Sequence, residues 1–140
     1  MDATVQDLNQ TLGFVRRVSM DPEGRAAIEY EAGMHMCHSG GVVQGGFVTG
    51  WIDAAMADAA MAMAGPDVTP MSLELKVSFF APACPGKVIA EAWVERRGKR
   101  TCFFEGRLLD GEGKVLAKAS STLMLAARDR VEAAAKAARS

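Results

Sequence analysis

The feature that most constrains this chain is the stretch Gln44 to Ala64, where Gly45-Gly46 opens a run that is apolar on nearly every side. Apart from the Trp51 indole, the polar side chains between Phe47 and Ala64 are Thr49, Asp53 and Asp58. A helix that is apolar all round belongs in a protein core or in a membrane. Twenty residues at the α-helical rise span roughly 30 Å, so length alone allows a membrane. The two carboxylates decide against it, because an Asp at a helix centre costs about 2.5–3.5 kcal/mol on insertion. Seven alanines between Ala54 and Ala64 mark a helix that its surroundings approach closely. Gly65-Pro66 is the expected stop, a Gly at the C-terminus followed by a Pro.

What wraps this helix is read from the rest of the chain. One hundred and forty residues suggest one domain with a real core. Residues 4–15 place Val5, Leu8, Leu12 and Val15 on one side of a short amphipathic helix that closes at about Gly13. Met20 to Gly24 reads as a turn, Arg25 to Ala32 as a first strand, and the glycine-rich segment Gly33 to Gly46 as a loop. Beyond the helix the period changes to two. Met71 to Phe80, Lys87 to Arg96, Thr101 to Leu109 and Lys114 to Leu125 read as four strands, with turns at Gly98-Lys99 and Asp110-Gly-Glu-Gly113. Short turns imply an antiparallel meander. The tail Arg128–Ser140 is rich in Ala, Glu, Lys and Arg and is expected to be exposed. The expected division is an N-terminal helix or arm at 1–20, a main domain at 21–127 and the charged tail at 128–140. Its fold class is α+β, a curved antiparallel sheet wrapped round one long central helix.

Charge and composition narrow the function. Sixteen basic and 17 acidic residues give a net charge of −1, which implies no nucleic-acid or membrane partner. Three scattered cysteines form neither a disulfide framework nor a Cys-x-x-Cys site. The N-terminus lacks a basic segment followed by an apolar run, so a cytoplasmic location is expected. His35, Cys37 and His38 invite a zinc reading, but no further ligand cluster is visible, and no metal is expected. No nucleotide fingerprint accompanies the glycines.

The pattern Gly41-Val-Val-Gln44-Gly45-Gly46, then six residues and Asp53, is followed by the strand Ser72-Leu-Glu-Leu-Lys-Val-Ser-Phe-Phe-Ala-Pro-Ala and two glycine-turned hairpins. In combination these resemble the hotdog-fold acyl-CoA thioesterases of the PaaI (phenylacetate-pathway) type over about residues 25–125. The resemblance implies hydrolysis of an aryl-acetyl or short-to-medium acyl-CoA. Coenzyme A is then part of the substrate and no other cofactor is expected. It also implies a homodimer, or a dimer of dimers, with sites shared between protomers. Where the family usually has His before Gly-Gly this chain has Gln44, and six residues earlier His38 replaces a frequent Asn. Ser72 resembles the family's hydroxyl that binds the attacking water.

The residues support that chemistry on their own terms. Thioester hydrolysis needs donors for the developing oxyanion and a base or nucleophile for attack. The N–H groups of Gly45 and Gly46 at a helix start are pre-aimed donors, and glycine lets a carbonyl approach the backbone. Asp53, the carboxylate in the first half of the helix, is the candidate base or nucleophile. Set against this, an Asp on a buried helix can be structural, tied to backbone or to an Arg. The Gln44 amide either holds the thioester carbonyl or braces the loop. Met56 reads as core filler or as part of an acyl pocket, and His38 and Gly46 as substrate contacts. Arg96, Arg97, Lys99 and Arg100 form either a solvated hairpin tip or a clamp for the phosphates of coenzyme A. Two other functions compete, a hydratase that pairs His with the carboxylate and a non-catalytic acyl-CoA-binding module.

Overall fold

The computed structural model describes residues 7–140. The first described element is α1 (Leu8–Leu12), capped by Asp7, whose carboxylate accepts from the Gln10 N–H at 2.8 Å while the Gln10 side chain accepts from the Asp7 N–H. Gly13 ends it in the left-handed region at φ 75°, and any Cβ there would collide with the Glu31 carbonyl. Val5 of the expected helix lies outside the described residues. Val15 is not helical but sits exposed on β1 (Phe14–Asp21), which pairs antiparallel with β2 (Arg25–Ala32). The sheet therefore begins at Phe14, inside the stretch expected to be an arm, and Arg25–Ala32 is the second strand.

The expected loop at 33–46 holds a single 3-10 turn (Met34–Met36) and a two-residue hairpin, β3 (Cys37–His38) with β4 (Val42–Val43). The central helix α2 runs Gly45–Ala64 and ends at Gly65. After it come β5 (Val68–Phe79), β6 (Gly86–Arg97), β7 (Thr101–Asp110), β8 (Val115–Ala127) and α3 (Arg128–Arg139). No residue of α3 is buried, which is the exposure expected of an Ala-rich tail. Among the described residues no helix is long and apolar enough to cross a membrane.

The six long strands form one antiparallel sheet in the order β1-β2-β6-β7-β8-β5. The meander is confined to β6-β7-β8. The first strand after the helix, β5, does not sit beside β6; it lies at the far edge, paired with β8. Its connection to β6 is held in place by backbone: Phe80 and Ala81 N–H both donate to the Leu116 carbonyl at 2.8 and 3.1 Å, and Val43 N–H donates to Ala83 at 2.9 Å.

The sheet curves round α2, as a hotdog fold does. Trp51, Ile52, Ala55, Met56, Ala59 and Ala60 have no solvent exposure and face Ala90, Phe104 and Leu108 of the sheet. Fully burying Ile52 and Met56 contributes about 1.5–3 kcal/mol each. Contact is closest at Gly106, where an added Cβ would stand 2.7 Å from Ile52 Cγ2 and 3.0 Å from the Glu91 carbonyl. Small residues on both surfaces explain why the helix carries so many alanines.

Candidate active site

The loop before α2 is fixed from both sides, with the Gln44 N–H donating to Met36 at 2.9 Å beside the Val43–Ala83 bond. Gln44 is the N-cap: its side-chain oxygen accepts from the Gly46 N–H at 2.9 Å. Because that partner is a donor, the amide oxygen must face it, and the Gln44 NH₂ is left to point elsewhere. The Gly46 N–H is thus occupied by the cap, which corrects the expectation that Gly46 offers a second donor to substrate. Among the described residues the Gly45 N–H has no acceptor. Gly45 opens onto a groove of about 380 Å³ walled by Val42, Val43, Val48 and Phe79 to Ala83. A Cβ on Gly45 would meet the Phe79 ring at 3.3 Å, so glycine keeps this approach open.

Further along α2 the two carboxylates have different fates. Asp58 is buried at 4% exposure and takes an ion pair from Arg17 of β1, Nε to Oδ2 at 2.8 Å. A buried carboxylate requires such a partner, and this one is structural. Asp53 is half-buried and bonded instead to Ser72, whose Oγ donates to Oδ1 at 2.8 Å. Ser72 reaches the helix through a β-bulge. The register of β5 on β8 slips between Ser72 and Glu74, leaving Leu73 as the extra residue. Without the slip, strict alternation would place Ser72 on the face of Glu74 and Lys76.

The remaining candidates scatter. Met56 has no exposure and packs its methyl against Gly106, so it is core, and the expectation of a substrate contact there is corrected. His38 is exposed on the small hairpin, at the Gly45 end of α2. Arg96, Arg97, Lys99 and Arg100 are exposed at the β6–β7 turn, and Arg97 donates to the Met63 carbonyl at the opposite end of α2 at 3.5 Å. Met63 is eighteen residues beyond Gly45, about 27 Å along the helix, so one chain does not bring this cluster to the glycine loop. Nor does it join Gly45 to Asp53, whose Cα atoms stand about 12 Å apart along the same helix.

The sequence reading missed what lies on the other side of Asp53. A cavity of about 360 Å³ is walled by Gly50, Asp53, Ala54 and Ala57 of α2, by Leu8, Asn9 and Leu12 of α1, and by Phe14, Ile28 and Tyr30 of the sheet, with Arg17 and Asp58 also at its wall. One signal was available: Asp58 on an apolar helix needs a cation, and Arg17 lies in the stretch read as an arm.

Comparison with known proteins agrees with this architecture. The family model described as Thioesterase superfamily matches residues 40–117. A phenylacetic acid degradation-related protein from Ralstonia eutropha JMP134 is 32% identical over 87% of this chain and 92% of its own, with a TM-score of 0.78. A point mutant of the phenylacetic acid degradation protein PaaI from Thermus thermophilus is 25% identical over 83% and 96%, with a TM-score of 0.73. The E. coli PaaI protein, at 22% identity over 84% and 82% and a TM-score of 0.76, shares the fold. Among curated protein sequences there is no match. A family model spanning more than half of the chain, joined by a 32% identical relative along most of its length, places this protein in the thioesterase superfamily as a hotdog-fold member of the PaaI type.

Proposed function

We propose that the protein is an acyl-CoA thioesterase working as a two-fold dimer, or dimer of dimers, that splits an aryl-acetyl or short-to-medium acyl-CoA into free acid and coenzyme A. One observation carries this reading. Asp53 stands half-buried on α2, oriented by the Ser72 hydroxyl at 2.8 Å, while the Gly45 N–H at the start of the same helix has no acceptor among the described residues. Ser72 occupies Oδ1 and leaves Oδ2 for the reaction. As base, Asp53 takes a proton from water as its oxygen adds to the thioester carbon; as nucleophile, it adds itself and water later cleaves the anhydride. In either case the C–S bond breaks and the thiolate of coenzyme A leaves. The oxyanion formed on the way is held by the Gly45 N–H, strengthened by the helix dipole, with the Gln44 NH₂ beside it.

The dimer supplies the missing proximity. If two α2 helices pack antiparallel about an axis near Thr49 and Gly50, Gly45 of one protomer faces Asp53 of the other. The β5 edge supports that assembly, since it has no pairing partner among the described residues of one chain and exposes Leu73 at 59% and Phe79 at 55%. In the same arrangement the basic β6–β7 turn lies about 15 Å beyond the reacting carbonyl along the helix, so Arg96, Arg97, Lys99 and Arg100 meet the phosphate end of an extended coenzyme A. His38 lies on the glycine-loop side of that site. Coenzyme A enters as part of the substrate, and the reaction as written draws on no other cofactor.

The test is release of free thiol from a panel of acyl-CoAs. Wild type is expected to release it, and Asp53→Asn to lose about 10²- to 10⁴-fold in kcat. Binding without thiol release would favour the non-catalytic module. Loss of enoyl-CoA absorbance without thiol release would favour a hydratase.

A further inference from the structure

The C-terminal helix, exposed as it is, encloses a second groove. α3 follows β8 directly, and its start is fastened twice: the Arg128 N–H donates to the Asp67 carbonyl at 2.9 Å, and the Arg128 guanidinium reaches the Met61 sulfur at 3.8 Å. From there Arg130, Val131, Ala134 and Ala135, which share one face of the helix, stand over a groove of about 750 Å³. Its floor includes Met71 of β5 and Met124 of β8, cross-strand partners that both remain exposed. Their neighbours in sequence turn inward, Ser72 to Asp53 and Leu123 to the core. The groove therefore lies on the outer face of the sheet, away from the hydrolytic residues.

We infer that this groove binds a free medium- to long-chain carboxylate, its head on Arg130 and Arg100 and its alkyl chain between α3 and the two methionines. Charge selects the head group. Arg100 and Arg130 form no ion pair among the described residues, and no carboxylate among them lines the groove to neutralise the two cations. Both cations lie at one end. Arg130 is in the first turn of α3, and the Arg100 carbonyl accepts from the Leu125 N–H at 2.7 Å, shortly before that helix begins. Ala134 continues the wall about 6 Å beyond Arg130 along the helix, past both charges. A volume of about 750 Å³ is within the range of small-molecule sites.

The lining selects the tail. Besides the two guanidinium groups its side chains are those of Met, Leu, Val and Ala, with no aromatic ring to stack a base and no hydroxyl or amide to read one. A nucleotide would leave the polar edge of its base without side-chain partners, whereas an alkyl chain asks only for apolar contact. Methionine suits that role, because its unbranched side chain adapts to what it packs against. Guanidinium and carboxylate pair through two parallel hydrogen bonds, and both are ionised at neutral pH. The site stands apart from the thioesterase reading. Arg100 alone is shared with the clamp proposed there, so Arg130 and Ala134 are the positions to test.

The experiment is calorimetric titration with octanoate, with the equally long but neutral octanol, and with adenosine 3′,5′-bisphosphate. Octanoate is expected to saturate a single site per chain and to bind at least about tenfold more tightly than octanol, the scale of a hydrogen bond between charged groups. Arg130→Gln should remove that difference, and Ala134→Trp, which fills the groove, should abolish binding of both. Both positions are exposed, and a thermal melt matching wild type verifies that the variants fold. Asp53→Asn should leave the octanoate affinity unchanged. Equal affinity for octanoate and octanol, octanoate binding as tight in the two groove variants as in wild type, or its loss in Asp53→Asn would overturn the inference. So would bisphosphate binding that Ala134→Trp abolishes, which makes the groove a nucleotide subsite. A lower mass in sedimentation for Ala134→Trp would overturn it as well, by making the groove a contact between copies of the chain.

Discussion

Mixing an Asp53→Asn chain with a Gly45→Leu chain is expected to restore activity that neither has alone. The two positions are eight residues apart on one straight helix, about 12 Å, whereas an Asp side chain reaches only a few ångströms. If both act on one carbonyl, as proposed, a site made within one chain is too long to close, whereas a site made across a two-fold axis draws Asp53 and Gly45 from different protomers. At Gly45 a Cβ already stands 3.3 Å from the Phe79 ring, so the further carbons of Leu enter the groove and cover the N–H. In a hybrid dimer one site combines the intact Asp53 of one chain with the intact Gly45 of the other, and the second site is doubly defective. Random reassociation of equal amounts makes half of the dimers hybrids, each with one working site of two, so about a quarter of the wild-type rate should return. The assay is thiol release after co-refolding or co-expression, with hybrids quantified by mass spectrometry on differently tagged chains. Hybrids present at the expected level, but with a rate no greater than the sum of the two single variants, would refute the shared site.

Three further outcomes follow from the same geometry. Ser72→Ala should slow turnover less than Asp53→Asn, because it removes an orienting hydrogen bond and leaves the carboxylate; a loss as large in steady-state kcat would mean the two roles are misassigned. Gly46→Ala should lower stability by about 1 kcal/mol in denaturant melts and reduce kcat together, since its Cβ would stand 2.6 Å from the Gln44 side-chain oxygen and evict the cap; a stability loss without a kcat change would leave Gln44 a purely structural residue. Neutralising Arg97 and Lys99 together should raise KM for a CoA ester more than for the matching pantetheine ester, and equal effects would remove the phosphate clamp.

Much of the architecture was legible because strong local signals agreed. The apolar run and its Gly-Pro stop marked α2, and the glycine turns at 98–99 and 110–113 marked the β6-β7-β8 meander. Strand β1 was not legible, because residues 15–20 are all exposed on an edge and so carry no alternation. The place of β5 was hidden by the ordinary preference of sequential strands to be neighbours. Pro70 inside it was the available clue, since a Pro is tolerated on an edge strand and not in the middle of a sheet.

The candidate site was legible by type more than by geometry. Asp53 and Asp58 look alike on the helix, and only the fold shows that Arg17 neutralises the second. The approach of Ser72 to Asp53 depends on the extra residue Leu73, which no alternation rule anticipates. The capping role of Gln44 was one of two readings the residue allowed, and it left the amide NH₂ available for the other.

The contact between Trp51 and Leu12 has a spectroscopic consequence. The chain has two tryptophans, and they report different places. Trp93 sits in β6 under the Arg107 guanidinium at 5.8 Å, with its N–H on Glu95. Trp51 is fully buried, stacked on Tyr30, and its N–H is tied to the last carbonyl of α1. Any lifting of α1 from the central helix breaks that bond and wets one indole while leaving the other as it was. With Trp93 replaced by Phe, intrinsic emission becomes a label-free monitor of how α1 sits on the central helix, and stopped-flow changes in its colour on adding an acyl-CoA would time any such movement against thiol release.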